Sequence, residues 1–108
     1  MGTPITHQPR VAWDGARAFV RIVQHPYYAE FADQVRHRIG PDHHMLLEDT
    51  RARILDNLDR TGGDRYVVDV EAGKWRVRLE DLLRTRPELL GAVVELTSMV
   101  PPPAHAYR

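Results

Sequence analysis

The stretch from Tyr66 to Leu79 constrains the fold most, because two structural levels agree there. Written as a β-hairpin turning at Ala72-Gly73, it sets Val70 opposite Trp75, Val68 opposite Val77 and Tyr66 opposite Leu79. All six share one face, since strand side chains alternate with a period of two. On the other face Glu71 meets Lys74 and Asp69 meets Arg76, with Val67 opposite Arg78. Opposite charges across the strands favour this register. An isolated hairpin is marginal in water, so its apolar face needs a cover from elsewhere in the chain.

The segments before it read as that cover. Met1 to Ala12 carries Gly2, Pro4 and Pro9 among polar groups and reads as a flexible, extended arm. Asp14 is a candidate cap for a first helix, in which Ala16, Phe19, Val20 and Val23 fall on one face. Pro26 suits the first position of a second helix, whose stripe is Tyr28, Phe31, Ala32, Val35 and Ile39. Gly40-Pro41 stops it, and Asp42 is placed to cap a third helix running to about Arg60. Leu47, Ile54, Leu55 and Leu58 form that helix's buried stripe, with Arg51 inside the stripe by angle. Its stem either covers apolar surface or its guanidinium is paired at a boundary. Thr61-Gly62-Gly63-Asp64 is a turn feeding the hairpin.

After Leu79, Glu80 to Arg84 reads as a short helical piece and Pro87 bends or restarts the chain. Leu89, Val93, Leu96 and Val100 follow helical spacing, while Ala92, Val94, Leu96 and Val100 would share one face of a strand. The helix is slightly favoured. Pro101 to Arg108 is a proline-rich, extended tail. The expected architecture is α+β: three N-terminal helices packed on the hairpin 66–79, then a C-terminal helix or third strand. One globular domain spans 13–100.

Composition narrows the function classes. The 108 residues contain no cysteine, which excludes disulfides, thiolate metal sites and cysteine nucleophiles. Fifteen basic residues balance fifteen acidic ones, so the basic excess of a dedicated nucleic-acid binder is missing. Lys74 is the only lysine and the other basic residues are arginine, as a GC-rich bacterial genome would also produce. No apolar run reaches membrane-spanning length and no secretory apolar core is present, so a cytoplasmic protein is expected. Phosphate-loop, dinucleotide and nucleophile-elbow motifs are missing, and no cofactor is implied.

Three sets of residues remain as functional candidates. His37, His43, His44 and Glu48 offer metal ligands, with His44 and Glu48 one helical turn apart, as a metal-dependent enzyme would need. Arg51, Arg53, Arg76 and Arg78 would contact phosphates if the third helix entered a DNA groove and the hairpin acted as its wing. The acids opposite the hairpin's bases, and overall neutrality, speak against that reading. Trp13, Tyr27 and Tyr107 are aromatic residues without a core assignment, suited to anchoring a protein partner. The expectation drawn from these is a small non-enzymatic interaction or regulatory module. It would be a bacterial complex subunit or a homo-oligomer, with the DNA-binding and metal-enzyme readings as alternatives.

Overall fold

Residues 8–102 are described by a computed structural model, and every regular element among them is helical. Five α-helices follow in order: α1 Gln8–Ile22, α2 Tyr28–Arg38, α3 Pro41–Thr61, α4 Arg65–Thr85 and α5 Leu90–Met99. A single 3-10 turn, Pro87–Leu89, leads into α5. The expected α+β architecture is thereby corrected, since the whole of 66–79 lies inside α4 and no strand occurs among the described residues.

Helical geometry explains how α4 mimics a hairpin. Residues two apart on a helix are rotated by about 200°, so an alternating apolar pattern is dealt to opposite sides. Trp75 and Leu79 point into the core, whereas Tyr66 (71% exposed) and Val77 (49% exposed) point away from it. The buried row of α4 is Glu71, Ala72, Trp75, Leu79, Leu82 and Leu83, a helical stripe that runs past the end of the expected second strand. Glu71 and Lys74, paired across the supposed strands, also stand one turn apart on a helix, where Lys74 Nζ reaches Glu71 Oε2 at 3.3 Å. The pairing of Asp69 with Arg76 is replaced by Arg76 with Glu80 at 3.0 Å.

The start of α4 is fixed by its turn. Gly62 takes a left-handed conformation (φ 78°) that ends α3. Thr61 Oγ1 then accepts from the backbone N–H of Asp64 at 2.8 Å, and the Asp64 carboxylate accepts from the N–H of Tyr66 at 3.0 Å. Asp64 is therefore a helix cap, not a lead into a strand. Other boundaries shift in the same way. α1 already covers Gln8 to Ala12, part of the stretch expected as an arm. Asp14 lies within α1, exposed, and pairs with Arg10 across one turn at 3.8 Å instead of capping. Gly40 precedes Pro41, the first residue of α3, and Asp42 falls in the first turn. Residues 103–108 of the expected tail and 1–7 of the expected arm lie outside the described residues.

The core is one apolar cluster drawn from all five helices. Phe19 of α1 is its hub, meeting Phe31 of α2 edge-on at 5.1 Å and Trp75 of α4 at 4.9 Å. α1 packs chiefly on α4 and then on α5, while α2 packs on α3. Gly15 permits the first contact: a Cβ there would lie 2.9 Å from Leu79 Cδ1 and 3.3 Å from Val93 Cγ1. The helical alternative for 89–100 is the one observed, with Leu89, Val93, Leu96 and Val100 all buried.

Candidate interaction surface

A charged network built into the α3–α4 seam holds α4 in place. Glu71 is 2% exposed, and its carboxylate accepts from Arg53 Nε at 2.7 Å and from Arg53 Nη2 at 3.0 Å. Thr50 Oγ1, also buried, accepts from Trp75 Nε1 at 2.8 Å. Its own proton has Leu46 O at 3.0 Å and Glu71 Oε1 at 3.3 Å within reach. Burial pushes the Glu71 carboxyl up, but Arg53 and Lys74 outweigh it and hold it below the ordinary carboxylate range. A buried acid satisfied on both oxygens fixes the rotation of α4 about its own axis. That rotation decides which residues face outward.

What faces outward is a second apolar row. Tyr66, Val70, Gly73 and Val77 follow one another at spacings of four, three and four, on the side of α4 opposite its buried stripe. Tyr66 and Val77 are exposed, Val70 is half-buried, and a Cβ placed on Gly73 would meet nothing within 4 Å. Helices of globular domains ordinarily carry polar groups there. Trp13 of α1 flanks the row: it is 40% exposed, with the Arg17 guanidinium 4.8 Å above its ring and that of Arg76, beside Val77, at 5.7 Å. Tryptophan, tyrosine and arginine around aliphatic residues is the composition of an interface centre.

The other aromatic candidates separate. Tyr27 is 57% exposed at the head of α2, on the far side of the chain's His25-Pro26 turn, and stacks on His25 at 5.2 Å. Tyr107 lies outside the described residues. Tyr66, expected in the core, is the most exposed large apolar side chain of α4. Its row was legible as helical spacing and was hidden by the hairpin register.

The four arginines proposed for phosphate contact are each engaged within the chain. Arg51 Nε donates to Val23 O at 3.2 Å, and its guanidinium covers the Tyr28 ring at 4.8 Å. Arg53 is held by Glu71 and Arg76 by Glu80. Arg78 lies over the Trp75 ring at 4.9 Å, with Nη1 buried and without a hydrogen-bond partner among the described residues. The wing that would have carried Arg76 and Arg78 is a helix.

The histidine set is dispersed. His37 sits on its own helix, with Nδ1 2.9 Å from Asp33 O. His43 turns inward, its ring 6.3 Å from that of Trp75, and burial lowers its pKa; Asp42 opposes that and Arg78 and Arg86 add to it. His44 faces Glu48 at 3.8 Å, but Glu48 already accepts a 2.7 Å hydrogen bond from the Tyr28 hydroxyl. Among the described residues no three His, Cys, Asp or Glu side chains are placed to share an ion. No helix there is long and apolar enough to cross a membrane. Comparisons with known protein families, with curated proteins and with solved structures return no match.

Proposed function

We propose that this chain is a small helical protein-interaction module that presents the outer face of α4, with Trp13 at its edge, to an apolar helix of a protein partner. One observation carries the reading: the row Tyr66, Val70, Gly73 and Val77 on a helix whose opposite side is already buried. An exposed apolar row costs solubility unless something covers it. Gly73, at the middle of the row and with open space above it, lets a helix backbone approach closely. Arg17, stacked on Trp13 and without an ion pair among the described residues, supplies a polar rim for an acidic group at the partner's edge.

The test is the double variant Tyr66→Ser/Val77→Ser, followed by affinity capture from host lysate and by sedimentation of the full chain. The expected result is an unchanged helical circular-dichroism signal with loss of the captured partner or of the self-associated species. Undiminished capture and sedimentation by the variant overturns the reading, as does a wild-type chain that stays monomeric and captures nothing.

A further inference from the structure

A different part of the molecule carries a small-molecule site. Where the chain turns from α1 into α2, it leaves an open groove of about 380 Å³ against the middle of α3, lined by Val23, Gln24, His25, Pro26, Arg51, Leu55 and Leu58. That volume is within the range of small-ligand sites, which run from about 300 to 1,000 Å³. Its floor is apolar: Val23, Pro26, Leu55 and Leu58. Its polar groups are weighted towards donors, and no acidic residue lines it.

Two of those donors are oriented by the fold. Arg51 is fixed at Nε by the Val23 carbonyl and across its plane by the Tyr28 ring, while Nη1 and Nη2 make no hydrogen bond among the described residues. This leaves the end of the guanidinium fork free, in the geometry that takes both oxygens of one carboxylate. The backbone N–H of Tyr27 donates to His25 Nδ1 at 3.1 Å, so the neutral ring carries its proton on Nε2 and has a donor to spare. Arg51 is half-buried in line with Leu47, Leu55 and Leu58, which sets its charged end beside apolar surface.

We infer that this groove binds a monocarboxylate with a short apolar body, the carboxylate held end-on by Arg51 and the body lying on Leu55, Leu58 and Pro26. One guanidinium matches one negative charge, and the floor has no further cation for a dianion. The helix face described above is untouched by such a ligand, so the two surfaces can be tested apart.

The experiment is an amide NMR titration of the full chain with acetate, hexanoate, hexan-1-ol and inorganic phosphate. Hexanoate is expected to shift Val23, Arg51, Leu55 and Leu58 saturably, binding at least about tenfold more tightly than the alcohol or phosphate, as a charge-assisted bidentate pair requires. Arg51→Gln should erase the advantage over hexan-1-ol while leaving the alcohol's own affinity in place, a split that a loosened fold would not produce. Leu58→Gln, which leaves Arg51 intact, should flatten the gain in affinity from acetate to hexanoate. Equal binding of hexanoate and hexan-1-ol, phosphate binding as tightly as hexanoate, shifts confined to other residues, or an unchanged chain-length dependence in the Leu58 variant each overturns the site.

Discussion

The two sides of α4 carry similar side chains under opposite conditions. On one side Trp75 and Leu79 have no exposure at all and meet Phe19 and the α1 backbone at Gly15. On the other, Tyr66 and Val77 present comparable apolar chemistry to open space, with Val70 half-buried between them. What separates the sides is the rotation of the helix, and Glu71 fixes it, a carboxylate inside the buried stripe with its partners Arg53 and Lys74 at the stripe's edge. Apolar character alone therefore does not mark the core of this chain. The polar group placed among the apolar ones does.

Substitution separates the two sides most sharply at Trp75 and Val77. Trp75→Ala should cost about 3–5 kcal/mol, since it removes a fully buried ring and leaves Thr50 Oγ1 without its donor. Val77→Ser, two residues on, should change stability by less than about 0.5 kcal/mol. Urea denaturation followed by circular dichroism measures both, and comparable losses at the two positions would merge the sides.

Acid should act on the core side in two stages. The folded state holds His43 and Glu71 below their ordinary values of 6.5 and 4.5, so each favours folding in its deprotonated form. Each contribution is complete above the ordinary value and is lost as pH falls through the lowered one. Stability should therefore decline first below about 6.5 and again below about 4.5. His43→Gln should remove the upper stage. Glu71→Gln should remove the lower, at a cost of about 1–2 kcal/mol at neutral pH. Denaturation midpoints measured across that range decide it, and a profile unaltered by both variants would detach the network from stability.

The smallest effect compares two helical glycines. Gly73→Ala on the outer face should stabilise by about 0.5–1 kcal/mol, because the new methyl group meets nothing and the unfolded chain loses freedom. Gly15→Ala should show no such gain, since its methyl group runs into Leu79 and Val93. Thermal melts of the two variants should move apart, and a shared upward shift would mean that α1 and α4 can separate without loss.

Much of the helical part was legible in the sequence. The stripes of α1 and α2 follow a clean helical period, and Ala16, Phe19, Val20, Tyr28, Phe31, Ala32 and Val35 are all buried as that period requires. Trp75 was assigned to the core through the hairpin register, and it is buried although that register is not formed and its supposed face-mates Tyr66 and Val77 are exposed. The segment 66–79 was not legible, for two physical reasons. Val67, Val68, Val70, Tyr66 and Trp75 are residues that strands favour, and a helix with apolar groups on both sides cannot be told from alternation over so short a span. Asp64 was the available counter-signal: a carboxylate after two glycines starts a helix more readily than it starts a strand. The outer row escaped with the hairpin, because assigning Tyr66 to the core left nothing to notice on the surface. The end of the Arg51 fork was beyond sequence reasoning altogether, since it depends on a carbonyl 28 positions away.

The order in which α1 meets its neighbours bears on how the chain comes off the ribosome. α2 and α3 are adjacent in sequence and pack on each other, so they can associate as soon as both exist. α1 closes mainly on α4 and α5, elements made after α2 and α3, and contacts of such separation form slowly. During synthesis α1 thus waits with its Gly15 face uncovered until α4 and α5 have been released, while Phe19 has only Phe31 of α2 to meet. The nascent chain is consequently a better client for a chaperone than the finished protein.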